Sequence, residues 1–166
     1  MAVDVFVLWL RATPASEWIN RSTWIWPLCE ALHFIGLSLL IGITGFFDLR
    51  LMGFFRRVSV SAAKDLMPLA LAGFAINAAT GLVFLIGLPE QYAHNRVWWF
   101  KLGFILLAGL NALLYETRLA GKVLALAIEP GADTPGSVKL VGLVSLVLWF
   151  AVLYSGRMLP FLGDAF

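Results

Sequence analysis

The chain has 166 residues, of which 61% are hydrophobic and only 13% charged, with a mean hydropathy of +0.88; one domain this apolar cannot clothe itself as a soluble globule. The net charge of +2 comes from scattered residues rather than a basic stripe, so nucleic acid has no support as a partner. The single cysteine, Cys29, excludes an internal disulfide and any cysteine-based metal or iron–sulfur centre.

In chain order, a short apolar run at residues 5–10 stands behind Asp4 with no basic segment before it, so a cleaved signal peptide is not expected. The stretch around Trp9 and Trp18 is too short for a span and is interrupted at Thr13-Pro14. Residues 1–22 therefore read as an amphipathic segment lying in the membrane interface. Residues 23–166 then form a transmembrane domain with spans near 24–47, 66–88, 97–115 and 138–158, each close to the roughly 20 helical residues that cross about 30 Å of hydrocarbon. Turn chemistry and charge mark loops at 56–65, 89–92 and 129–136. The expected fold is all-α: an integral membrane four-helix bundle with an N-terminal interfacial segment. Close packing would rest on small residues such as Gly36, Gly73, Gly81, Ala108 and Gly109.

Seven of the twelve lysines and arginines (Arg50, Arg56, Arg57, Lys64, Arg118, Lys122, Lys139) fall on the side of the first and third loops; Arg11, Arg21, Arg96, Lys101 and Arg157 fall on the other. Retention of basic residues in the cytoplasm then places both termini in the periplasm of a bacterial inner membrane. Trp9, Trp18, Trp24, Trp26, Trp98 and Trp99 fall on that same outer side, as an interfacial aromatic belt would.

Ionisable groups inside a span are costly and mark a site or a partner. Glu30, His33, Thr44 and Asp48 share one face of the first helix within about 120°. Lys101, Ala108, Ala112 and Tyr115 share one face of the third within about 60°. Counting from Trp26 and Arg96, His33 lies roughly 10 Å deep and Lys101 roughly 7 Å, so the two can meet. Arg157 reaches a similar level, with Tyr154 one turn below. His94 belongs to the outer loop, on the order of 15 Å from the level of His33, which disfavours a bis-histidine haem. Each group also has a plainer role. His33 could be a core histidine bonded to Glu30 or a backbone carbonyl, Lys101 could snorkel to the interface, Arg96 and Arg157 could be interfacial anchors, and Asp48 could pair with Arg50. A di-iron reading of Glu30-x-x-His33 lacks the second such helix and the further glutamates.

The stretch Trp26-Pro-Leu-Cys-Glu-Ala-Leu-His33-Phe-Ile-Gly36, continuing to Gly45-Phe-Phe-Asp48-Leu-Arg50-Leu-Met-Gly53, resembles the opening of a bacterial family of small four-helix membrane proteins of unknown function. Lys101-Leu102 and Ala108-Gly-Leu-Asn111-Ala-Leu-Leu-Tyr-Glu116 resemble its third helix, where the family often has a histidine in place of Glu116. The early histidine of span one with the early lysine of span three is also similar in layout to the four-helix bacterial protoporphyrinogen oxidase that carries b-type haem, and more loosely to copper-resistance membrane proteins. Those similarities imply haem or a metal as a ligand of the His33 and Lys101 region.

The function expected is a membrane redox or electron-transfer protein binding haem b or a quinone. His33 would be the axial or metal ligand, Lys101 a second ligand or the partner of the porphyrin carboxylates, and Arg157 a carboxylate clamp, with Glu30 and Tyr154 nearby. The rival is a non-catalytic accessory subunit, docking through its aromatic N-terminal segment on other membrane subunits or on a second copy. A transporter is disfavoured, since no span shows a paired broken helix or a methionine/histidine ladder.

Overall fold

The computed structural model describes residues 2–125 and 130–162; Met1, residues 163–166 and the expected loop residue Glu129 lie outside the described residues. Within them every regular element is helical, with no strand. Four helices are long and apolar enough to cross a membrane: Ile25–Leu51, Val60–Gly87, Arg96–Val123 and Gly136–Met158.

Two short helices precede them, α1 (Ala2–Arg11) and α2 (Pro14–Arg21), and they meet where the sequence breaks. Thr13 caps α2, its hydroxyl accepting from the Ser16 amide at 3.2 Å, and Pro14 starts the helix where its missing N–H costs nothing. α3 (Ile25–Leu51) is the first long helix. It stops at Gly53, whose φ of +98° is open only to glycine at low cost. There the Gly53 amide donates to Arg50 O and the Phe54 amide to Leu49 O, at 3.1 and 3.0 Å, a Schellman closure. α4 (Val60–Lys64), capped by Ser59, leads into α5 (Met67–Gly87). α6 (Pro89–Ala93) turns the chain into α7 (Arg96–Leu114), capped by Asn95. α7 continues through one π-helical turn, Tyr115–Leu119, into α8 (Ala120–Ala125), so the third span runs beyond the expected 97–115. α9 (Gly136–Met158) is the last helix.

α3 is the hub, packing against α5 on one side and α9 on the other, and α7 packs along α9. α7 meets α3 and α5 less closely than it meets α9. The tightest junction is α3 on α5. A Cβ on Gly36 would lie 2.8 Å from Gly73 O, and one on Gly73 would lie 2.6 Å from Gly36 O. Only glycine at both positions lets the backbones touch, as helices do in lipid.

The buried apolar cluster sits at the α4 end and includes Phe47, Leu51, Val60, Ala63, Tyr115, Val138 and Val141. Here Arg50, fully buried, staples the loops together: its Nε donates to Val58 O at 2.5 Å and its Nη2 to Ala132 O at 3.2 Å. Thr134 donates to Leu51 O at 2.6 Å, and Asp133 holds both Lys139, at 2.8 Å, and Arg56, at 3.1 Å. The Lys139 ammonium, ahead of the Thr134 amide and the Arg56 charge, keeps the Asp133 carboxyl below the ordinary aspartate range. Arg50 does not pair with Asp48: two residues apart on a helix, they face different ways.

Gly36→Ala forces a methyl against the Gly73 carbonyl and is expected to destabilise the fold by about 1–3 kcal/mol. Gly103→Ala, where nothing lies within 4 Å, should be neutral. Thermal unfolding of both variants in detergent checks the contrast, and equal losses would remove the close-approach explanation.

Candidate functional site

His33, Thr80 and Lys101 lie in the half of the structure nearer α6. His33 is half-buried on α3, three residues before the Gly36 contact. Because α3 and α5 run antiparallel and touch at Gly36 and Gly73, the next turns toward α6 bring His33 against Thr80. His33 Nδ1 lies 2.7 Å from Thr80 Oγ1. Thr80 has one hydroxyl proton, and its oxygen also lies 2.8 Å from the Ile76 carbonyl one turn back. If that carbonyl takes the hydroxyl proton, Nδ1 must carry the ring proton and donate to Thr80. The reverse arrangement would leave an Nε2–H with no acceptor, since Nε2 has no hydrogen-bond partner among the described residues. The favoured tautomer therefore presents Nε2 as a free lone pair, the form of histidine that ligates metals or accepts a proton.

Aromatic rings wall the histidine. Phe84, one turn beyond Thr80, has its ring centroid 5.4 Å from that of His33, and Trp26 stacks on Phe84 at 5.4 Å with 12° between the planes.

Lys101 stands on α7. It belongs to the expected face: Ala108 (1% exposed) and Tyr115 are buried on it, although Ala112 is exposed. The Lys101 side chain lies over Gly156 of α9, where a Cβ would sit 3.4 Å from Nζ. Among the described residues no carboxylate pairs with it.

The remaining expected members stand further off. Glu30 is exposed at the start of α3, where its charge reaches Tyr92 on α6. Burial first, and the Glu30 carboxylate second, raise the Tyr92 hydroxyl above its ordinary value. Tyr154 is 54% exposed. Arg157 is exposed and its guanidinium stacks over Phe161, 5.0 Å from the ring centroid. His94 lies 3.1 Å from Asp4 on α1, an exposed pair. Neither Arg157 nor His94 is brought to His33, and no three His, Cys, Asp or Glu side chains among the described residues gather as a metal site would need.

Thr80, Phe84 and Tyr92 are the members that sequence reasoning passed over. A threonine in a span normally bonds its own helix, and nothing in the order of residues distinguishes one that also meets a histidine. The available signal was spacing: Gly73, Thr80 and Phe84 stand seven and then four apart, near one stripe of α5.

Above this region the N-terminal helices dock on the α6 end. Asn20 Nδ2 donates to Gly87 O at 2.9 Å, Arg11 pairs with Glu90, and Ile19, Val7 and Leu10 are buried. The outward sides of these helices carry exposed Val5, Leu8, Trp9 and Trp18.

Compared with known proteins, the chain matches no family, no curated protein and no solved structure.

Thr80→Val removes the acceptor of the Nδ1 proton and leaves a part-buried donor unpaired, a loss of about 1–3 kcal/mol. Nitrogen-15 spectra of the His33 ring should show the Nδ1–H tautomer in the wild type and a mixture in Thr80→Val. An Nε2–H tautomer in the wild type would reverse the assignment.

Proposed function

We propose that the chain is an integral membrane four-helix bundle whose N-terminal helices lie in the interface, and that it is a redox protein holding a flat redox-active ring, haem b or a quinone, at His33. The observation that carries the proposal is the half-buried histidine with one ring nitrogen fixed by Thr80 and the other without a partner. The proposed setting is a bacterial inner membrane with the α6 end and both termini on the periplasmic side. The lysine and arginine balance of the loops and the exposed Trp9, Trp18, Trp24 and Trp99 toward that end support it.

The residues fit a single histidine ligand. They do not fit a bis-histidine site, because His94 is engaged with Asp4. Bound haem would supply a one-electron change at its iron, and a quinone a two-electron change in its ring. The protein's part is to orient His33 through Thr80, to flank the ring with Phe84 and Trp26, and to set the Lys101 ammonium against a carboxylate or carbonyl oxygen. In this reading Glu30 and Tyr92 stand at the mouth. Arg157 would have to leave Phe161 to clamp a carboxylate, and Tyr154 would act only from the edge.

The exposed Val5, Leu8, Trp9 and Trp18 favour one second reading, an accessory subunit that docks on a larger membrane complex through α1 and α2. In that case partners co-purify unchanged with His33→Ala.

A reduced-minus-oxidised spectrum of the purified chain, with solvent extraction of the same sample, tests the redox reading. A haem Soret band or about one quinone per chain is expected in the wild type, with most of it lost in His33→Ala. Neither in the wild type overturns the proposal.

A further inference from the structure

We propose that Asp48 is a proton-binding site, a carboxyl that α3 and α9 hold as the neutral acid at the α4 end of the spans. Neither haem nor quinone at His33 is needed for it.

The place comes from how α9 packs on α3. A Cβ on Gly142 would lie 2.8 Å from the Asp48 carbonyl oxygen and 3.0 Å from Leu51 Cβ, so the two backbones touch there with no side chain between them. A turn further along α9, and a turn back along α3, Leu146 meets Gly45, where a Cβ would stand 3.8 Å from a Leu146 methyl. Ser145 falls between these two contacts, and its hydroxyl reaches the Asp48 carboxyl as a hydrogen-bond partner. Asp48 is only 4% exposed, and its Oδ2 is buried with no hydrogen-bond partner among the described residues. Oδ1 is thus the oxygen left for Ser145.

Among the described residues no cation pairs with this carboxyl. Arg50, two residues on, is engaged with Val58 O and Ala132 O. On α9, Lys139 is bonded to Asp133 at 2.8 Å, while Tyr154 and Arg157 belong to the far end of the helix. On α4, Lys64 is bonded to Glu116 at 2.8 Å, and beside it Tyr115 packs edge-on against Phe47. Arg56 is held by Asp133, and Arg57, Asp65, Arg118 and Lys122 are exposed. α5, the other helix packed on α3, has no ionisable residue.

Ionised, Asp48 would keep a full charge in a span, with one oxygen reached by no donor and no cation beside it, which is among the costliest features a fold can carry. The neutral acid avoids this. A proton on Oδ1 donates to Ser145 Oγ and leaves Oδ2 as an ordinary carbonyl oxygen, whose missing partner costs far less than a bare charge. Because the backbones touch at Gly142, water reaches the carboxyl only when α9 moves off α3 there. Release of the proton to water and loosening of that junction are then one event.

Infrared spectra of the full chain in phosphatidylcholine nanodiscs test the proposal. At neutral pH the carbonyl band of a protonated carboxylic acid is expected in the wild type, lost in Asp48→Asn and kept in Asp65→Asn. Carbon-13 labelling of aspartate should shift the band in the wild-type chain, a readout that needs no variant to fold. Stability against pH gives the second arm. The unfolded chain releases the Asp48 proton in the ordinary aspartate range and the folded chain keeps it, so the wild type loses stability relative to Asp48→Asn as pH rises through and above that range, by about tenfold in the folding equilibrium per pH unit. The absence of the band, its persistence in a folded Asp48→Asn, or a stability difference that does not change with pH would each overturn the proposal. A wild-type advantage that grows with pH would do so too, since it would make the carboxylate the native form.

Discussion

The contact between the backbones of Gly36 and Gly73 decides what the rest of the structure can do. Lipid gives helices no hydrophobic reason to associate, so they hold together through close van der Waals packing and hydrogen bonds. Two antiparallel helices that touch at glycine bring the neighbouring turns into side-chain reach. The Asn77 amide nitrogen sits 2.6 Å from where a Gly36 Cβ would stand, and one turn further Thr80 meets His33 at 2.7 Å. The closeness also has a cost, since Asn77 Oδ1 is buried with no hydrogen-bond partner. The histidine is therefore oriented by a backbone contact three residues away on its own helix, as well as by the hydroxyl it touches.

The two ends of the helices solve different problems. At the α4 end the loops are bound by side chains bonding to carbonyls of other segments, Arg50 to Val58 and Ala132 and Thr134 to Leu51. Tyr115 meets Phe47 edge-on at 5.5 Å, and Lys64 reaches Glu116 at 2.8 Å. These contacts tie the end of the third span to α3 and α4. α7 is tied to α9 at both ends, near the α4 end by Asn111 to Val141 O at 3.1 Å and toward α6 by its cap residue Asn95 to Leu159 O at 2.9 Å. His33 and Lys101 stand at the other end, in the half of the structure nearer α6.

Much of this was legible in the sequence, and the illegible parts share a cause. Span positions follow from apolar length, and the break at Thr13-Pro14 from turn and cap chemistry. That His33 and Lys101 both lie in the half nearer α6 follows from depth counted along two helices. Gly36 and Gly73 could be named as small residues but not as partners, because facing requires the rotation of each helix about its own axis. The same rotation turns Tyr154 toward the outside and hides Thr80 from a reading that looks only for ionisable groups. The continuation of the third span through a π-helical turn at Tyr115 was likewise invisible, since Tyr-Glu-Thr-Arg-Leu has no breaker to announce it. The ion pair expected of Asp48 and Arg50 failed on local geometry that spacing alone supplies.

The exposed side of α7, with Leu106, Leu110 and Leu113, suits a bilayer, because acyl chains solvate leucine as well as protein does. They cannot do the same for an ammonium or an imidazole lone pair, which gain nothing from hydrocarbon. The solvent that suits the leucines therefore makes Lys101 and His33 the expensive groups of these helices: Lys101 has no carboxylate partner and His33 Nε2 no hydrogen-bond partner among the described residues.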